Sequence, residues 1–407
     1  MLDWLHSELD RLEADGLHRR RRCVRPLSGG RCVVDGRECW NFAGNDYLDL
    51  AGDPRVIAAA VEALQQAGTG ARASALVCGR TEWHERLEER IASFEGTEAA
   101  ILFPTGYAAN VGAVSALAGP GDVIYSDRLN HASLIDGCRL SRAKLQVYPH
   151  CDIEALEREL EKGASSEVAE TVRSTPLTTH PSPPTSPPRR LIVTDSVFSM
   201  DGDLAPLPEL CDVAERHGAM LLVDEAHATG VFGPRGRGVA EIQGVEDRGL
   251  IRVGTLSKAI GSQGGFICGP GPLIDWLWNS ARTQMFSTAL APAACAAACA
   301  ALAIIDSELE RRERLLRMCD WFRSRLAESG IATTASSIGP IVPVTIGDAT
   351  RTMHVAQRLE ERGFLVGAIR PPTVSRGTSR LRISITAAHD EGVLDALAYT
   401  LDELWGQ

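Results

Sequence analysis

The sequence predicts an α/β protein: a mostly parallel central sheet with helices on both faces, plus a smaller C-terminal α+β domain. Three observations carry this. Short apolar runs at Ala99–Phe103, Val123–Tyr125, Leu191–Thr194, Leu221–Val223, Ile251–Val253 and Phe266–Cys268 alternate with helical patterns, and that alternation marks a parallel sheet. The chain has 407 residues, more than one core supports, so a large and a smaller domain are expected. After about Gln284 the character shifts to an alanine-rich helix and then to further strands and helices.

Taken in order, residues 1–25 read as an amphipathic helix ending in Arg19–Arg22. Arg31–Phe42 reads as a short β segment turning at Asp35-Gly36. Asn45–Leu48 (N-D-Y-L) leads into a helix near Asp53-Pro54, where an acidic cap precedes a proline at the first helical position. G-T-G-A-R at Gly68–Arg72 lacks the G-K-S/T ending of a phosphate loop and is set aside. Glu82–Glu95 is helical. The expected organisation is an N-terminal arm over 1–45, a large domain over 46–283 and a small domain over 284–407. Inside the large domain, residues 163–188 are rich in proline, serine and threonine. Such a stretch buries too little apolar surface to fold, so an exposed, disordered insertion without chemistry is expected.

Composition narrows the function classes. The hydrophobic share of 44% and charged share of 23% are ordinary for a soluble globular protein. No apolar run is long enough to span a bilayer, and the acidic N-terminus M-L-D-W-L-H-S-E-L-D is not a signal peptide. Eleven scattered cysteines without a C-x-x-C pair fit a reducing cytoplasm. The net charge of -11 argues against nucleic acid and membrane surfaces as partners. Arg19–Arg22 is the local basic patch available to an anionic substrate.

The chemistry centres on G-T-L-S-K-A-I-G-S-Q-G-G, Gly254–Gly265. Lys144, Lys162 and Lys258 are the only lysines among 42 lysines and arginines. Arginine has no usable neutral form, whereas an enclosed lysine can lose its proton and attack an aldehyde. The glycines around Lys258 are expected to leave room for a bulky group. Ligands of open parallel sheets collect beyond the carboxyl ends of the strands, and those ends carry a matching set. Gly106-Tyr107 opens a helix whose free N–H groups suit a phosphate. His131 can stack on a flat ring or move a proton. Ser199 offers a hydroxyl. Asp224 needs a positive partner such as a protonated ring nitrogen, and His227 can reach the same ring's oxygen. Thr255 and Lys258 complete the rim. D-x-x-H also suits a metal, but no third ligand follows at the right spacing, so none is expected. Together these groups fit pyridoxal 5′-phosphate part by part.

At this point the chain resembles a known family. F-P-T-G-Y-A-A-N, D-R-L-N-H-A-S-L, V-F-S-M-D-G-D, V-D-E-A-H-A-T-G, G-T-L-S-K-A-I-G and R-P-P-T-V-S-R-G-T-S-R-L-R-I-S are similar to motifs of the α-oxoamine synthases. The resemblance runs from about Asp3 to the C-terminus. It implies a fold-type I pyridoxal-phosphate transferase, like aspartate aminotransferase, that is homodimeric with active sites at the subunit interface. Lys258 would hold the cofactor as a Schiff base, Asp224 its ring nitrogen and His227 its ring hydroxyl, with His131 stacked on the ring. Gly106, Tyr107, Ser199 and Thr255 would hold the cofactor, chiefly its phosphate, and Ser287 and Thr288 would reach a phosphate in the neighbouring subunit. Arg382 would bind the substrate carboxylate. Thr373, Asn45 and Arg20 would contact substrate, Arg20 near the acyl group. The most similar members join L-alanine to a pimeloyl group carried on coenzyme A or acyl carrier protein; the alternative joins glycine to acetyl-CoA. Asp195 and Ser196 stand where members usually carry glutamate and glycine, Ala228 replaces a usual glycine, and Ala75 stands at a commonly basic position.

Overall fold

A computed structural model describes residues 2–166 and 188–405. The predicted insertion lies almost wholly outside the described residues. Its expected start at 163 is late-shifted, because the helix Ile153–Ser166 continues to Ser166.

The larger sheet has seven strands: β4 (Ala99–Phe103), β5 (Val123–Asp127), β6 (Lys144–Tyr148), β7 (Arg190–Asp195), β8 (Met220–Asp224), β9 (Ile251–Thr255) and β10 (Gly265–Gly269), in the order β4-β10-β9-β8-β7-β5-β6. Pairs β5–β6, β5–β7, β7–β8 and β8–β9 are parallel. β10 runs antiparallel to both neighbours, β4 and β9. Reversing one strand leaves the C-terminal ends of the other six on one rim. β9 is buried along its whole length, as a strand covered on both faces must be.

A second sheet, ordered β1-β2-β3-β12-β13-β11, is built from both ends of the chain. Its strands are β1 (Val24–Pro26), β2 (Arg31–Val34), β3 (Arg37–Phe42), β11 (Ile341–Gly347), β12 (Phe364–Ile369) and β13 (Ser379–Ser384). β3 pairs in parallel with β12, so the N-terminal β segment shares a sheet with the C-terminal strands. The β2–β3 hairpin turns at Asp35-Gly36, both at positive φ, which a two-residue hairpin turn requires.

The first helix, α1 (Trp4–Ala14), is shorter than 1–25. Gly16 at φ 66° stops it, and Arg19–Arg22 follow in irregular, extended chain before β1. α2 (Pro54–Ala67) starts as the sequence suggests, with the Asp53 carboxylate accepting the Arg55 N–H. α3 (Glu82–Glu95) is capped by Thr81 and ended by Gly96 at φ 69°. α4 (Gly106–Leu117) follows β4 and α5 (Ala132–Ser141) follows β5. No single helix among the described residues is long and apolar enough to cross a membrane.

Candidate active site

Lys258 lies just past β9, half-buried, and its Nζ makes no hydrogen bond or ion pair among the described residues. Lys144 and Lys162 are exposed, and Lys162 pairs with Glu159 at 2.7 Å. Burial pushes the Lys258 ammonium down to about 8, against the pull of Asp224 and Asp195. An amine in that range is available as a nucleophile and as a base near neutral pH.

The glycines beside it serve the protein rather than clearing space. A Cβ on Gly254 would run into the Phe266 ring, and Gly261, at φ 67°, lies against the backbone of Leu50 and Ala51. The expectation that they make room for a bulky group is therefore corrected: they let the Lys258 loop pack onto its neighbours.

Asp224 ends β8. One oxygen accepts the Asn110 side-chain N–H at 2.6 Å, the other the Ala226 N–H at 2.8 Å. Asn110 also donates to Ser133 at 2.9 Å, while its own oxygen is buried without a partner. His131 caps α5 and accepts the Ser133 N–H through Nδ1 at 3.3 Å. Its side chain lines the rim, open on one side and packed against the protein on the other. That partial desolvation and the nearby lysine hold its pKa below the ordinary histidine value, with Asp224 opposing.

His227 is tied to the second sheet. Its Nδ1 lies 2.7 Å from the Tyr47 hydroxyl, and that oxygen also receives Arg382 Nη2 at 3.3 Å. The guanidinium can only donate, so the tyrosine hydrogen goes to Nδ1 at 2.7 Å or to the Asn45 Oδ1 at 3.2 Å. Nδ1 is the nearer acceptor, and in that arrangement the imidazole hydrogen sits on Nε2. Burial, with Lys258 and Arg382 nearby, holds His227 well below its ordinary pKa, so the ring stays neutral.

Arg382, on β13, is buried. Its hydrogen bonds go to the Ser199 carbonyl at 2.6 Å, Ser384 at 2.9 Å, Asn45 at 3.2 Å and Tyr47, all uncharged. Among the described residues it has no ion pair. Arg380, two residues earlier on the same face, pairs with Asp201. At the rim shared with Lys258 and His227, a buried guanidinium answered only by neutral oxygens suits an anion.

The phosphate end is partly assembled. The Thr105 side chain accepts the Ala108 N–H at 3.0 Å and its carbonyl accepts Ala109. The Gly106 and Tyr107 N–H groups have no acceptor among the described residues, at the positive end of α4. Thr255 packs against Gly106, and its hydroxyl donates to the Gly264 carbonyl at 2.9 Å. The Ser199 hydroxyl also has no partner among the described residues, but the Ser199 carbonyl accepts Arg382 at 2.6 Å, so this serine lies beside Arg382. Tyr107 contributes only its backbone here, because its exposed hydroxyl bonds Asp136. Ser257, beside Thr255 at 2.9 Å, is a hydroxyl that sequence reading missed.

Four expected residues lie apart from this cluster within one chain. Ser287 and Thr288 line a separate hollow with Ala75 and Arg80, where Thr288 bridges Ser74. Thr373 sits on an exposed turn after β12. Arg20 is exposed and pairs with Glu13 at 3.3 Å, and Arg22 is held by Asp35 and Glu360. Arg19 is the member of the run whose charge acts on the buried Arg370.

These groups fit pyridoxal phosphate: a free amine, an anchored carboxylate, a neutral imidazole with a free N–H, and unanswered amides at a helix start. Comparison with known proteins agrees. Residues 37–401 match the family model for class I and II aminotransferases. An 8-amino-7-oxononanoate synthase from Anaeromyxobacter sp. is 47% identical over 99% of this chain and 96% of its own length. The chain belongs to the 8-amino-7-oxononanoate synthases, within the α-oxoamine synthase family. An 8-amino-7-oxononanoate synthase 2 of Bacillus subtilis is 45% identical over 98% of the chain and 97% of its own. Among solved structures, serine palmitoyltransferase of S. paucimobilis, holding pyridoxal phosphate joined to myriocin, has a TM-score of 0.88 at 32% identity, covering 99% and 97%. The Francisella tularensis 8-amino-7-oxononanoate synthase has a TM-score of 0.73 at 26% identity, covering 90% and 97%. The chain is accordingly a fold-type I, pyridoxal-phosphate-dependent acyltransferase of biotin biosynthesis.

Proposed function

We propose that the enzyme condenses L-alanine with a pimeloyl thioester, on coenzyme A or acyl carrier protein, releasing carbon dioxide and the free thiol and giving 8-amino-7-oxononanoate. The observation that carries this is Arg382: a buried guanidinium without an acid, close to Tyr47 and His227. It binds the alanine carboxylate, and an α-amino acid so held keeps its α-carbon beside Lys258.

Bound at this rim, pyridoxal phosphate supplies an aldehyde for amines and a cationic ring that withdraws electrons from the α-carbon. Asp224 would hold a proton on the ring nitrogen. His227 would donate to the ring oxygen, and His131 would cover the ring face. The Gly106 and Tyr107 amides and Thr255 would hold the phosphate, and Ser199, beside Arg382, would be a further cofactor contact. Lys258, with its lowered pKa, takes the α-proton of alanine at Nζ and returns one to the product carbon. His131 moves protons while the acyl group is transferred. Thr373, Asn45 and an arginine of the Arg19–Arg22 run meet the acyl substrate. Arg20 is the best match in that run; it is exposed, as Arg19 is, and pairs with Glu13 at 3.3 Å.

The reading includes a homodimer. α2 exposes Ile57, Val61 and Leu64 at helical spacing, and Val77 and Phe286 are exposed at 77% and 68%. Exposed apolar side chains of this kind suit a subunit interface. Phe286 directly precedes Ser287 and Thr288, which would then reach the neighbour's phosphate. The test is thiol release with L-alanine, glycine and L-serine across acyl chain lengths. The expected result is preference for alanine with the pimeloyl thioester. Preference for glycine with acetyl-CoA overturns the substrate assignment.

A further inference from the structure

Asp195 is a buried acid that the mechanism above does not use. It ends β7 directly beside Asp224, the two being Cα partners in the parallel β7–β8 ladder. Parallel neighbours in register project their side chains to the same face, so two carboxyl groups sit side by side at one sheet edge. Two adjacent buried carboxyls do not both ionise cheaply.

The donors around them decide which keeps a proton. Asp224 receives an N–H on each oxygen, from Asn110 and Ala226. Asp195 receives one, the His131 backbone N–H at 2.9 Å on Oδ2. Its Oδ1 has no hydrogen bond among the described residues. The charged groups facing Asp195 are Asp224 from β8, Asp127 from β5 and Lys258 beyond β9. Two acids thus oppose one amine. Asp195 is only 4% exposed, so water does little to offset that opposition. Burial, then Asp224, pushes its carboxyl well above the usual range, with Lys258 opposing.

We infer that Asp195 is the protonated carboxyl of this site, a positioning residue that fixes His131 through its backbone N–H and leaves Asp224 the ionised acid beside it. The inference deepens the proposed function, resting on Asp224 as the ring-nitrogen partner. It assigns the two acids opposite protonation states, the arrangement by which paired carboxyls divide acid and base work.

Asp195→Asn tests it, read by infrared difference spectroscopy of the apoprotein and by pH titration of the holoenzyme's visible absorption. The expected wild-type-minus-variant spectrum at neutral pH loses the carbonyl stretch of a protonated carboxyl. The absorption midpoint should move by less than about half a unit. Loss of a carboxylate stretch instead, with the midpoint lowered by about one unit or more, overturns the inference. Asp224→Asn is the second variant: removing the neighbouring charge should lower the pH at which the protonated-carboxyl band disappears, although burial still opposes ionisation. A pH of disappearance unchanged from wild type contradicts the pairing. If Asp224→Asn leaves the cofactor's absorption unchanged, the ring-nitrogen role fails, while the apoprotein spectra still judge Asp195.

Discussion

The two ends of β9 hold buried charge in opposite ways. Near its start, Arg252 is 3% exposed and Glu95 is 2% exposed, and they meet at 3.0 Å with a second bond from Arg252 to the Glu95 carbonyl at 2.7 Å. The arginine's charge is answered inside the chain. Past its end, Lys258 has nothing bonded to Nζ, and across the rim Arg382 has only neutral acceptors. Burial alone does not separate structural from functional charge. Nor does the lack of an acid partner alone, since Arg312 and Arg370 are also buried with only uncharged partners among the described residues. What marks Lys258 and Arg382 is that they share one rim with Asp224 and His227.

That contrast can be broken by substitution at either end. The largest effect is expected for Lys258→Ala: turnover in the thiol-release assay falls at least about a thousandfold, while apoprotein stability holds or rises because an unpaired cation is removed. Arg252→Met should do the reverse. Burial already pushes the Glu95 carboxyl up to about 8 against the pull of Arg252, so without the arginine it takes a proton. The loss of two buried hydrogen bonds should cost about 1–3 kcal/mol of unfolding free energy, measured by denaturant titration, with turnover per folded molecule little changed. Arg382→Lys keeps the charge but loses the fork, so kcat/KM for alanine should fall by about thirtyfold, or about 2 kcal/mol, mainly through KM.

The lowered Lys258 pKa gives a pH prediction with a definite sign. Between about 8 and the ordinary 10.5 the folded chain has released a proton that the unfolded chain keeps. Stability from this group therefore rises with pH across that window. Apoprotein melting should show the rise in wild type and not in Lys258→Ala. The smallest effect is expected for Tyr107→Phe, which removes an exposed hydroxyl bonded to Asp136 and should change kcat/KM by less than about twofold.

The parts that were legible in the sequence are those in which one strand end carries its own chemistry. D-E-A-H and T-L-S-K each follow an apolar run, so Asp224, His227, Thr255 and Lys258 could be placed on a common rim before any coordinates. The rest depends on contacts far apart in sequence. Tyr47 bonds His227 across 180 residues and Asn110 bonds Asp224 across 114, and no local pattern announces either. An apolar run carries no direction, so Phe266–Cys268 gave no sign of being the antiparallel strand. K-L-Q-V-Y, the edge strand β6, is too polar to stand out. The pairing of β3 with β12 joins residues near 40 to residues near 365, which explains how Asn45 and Arg382 come together although they were assigned to different domains.

The most direct test of the comparison is to load the apoprotein with pyridoxal phosphate, reduce with borohydride, and map the labelled peptide by mass. The chain has three lysines, so the outcome is unambiguous. One adduct on Lys258, absent from Lys258→Ala, is predicted. An adduct on Lys144 or Lys162, or none at all, would contradict the account.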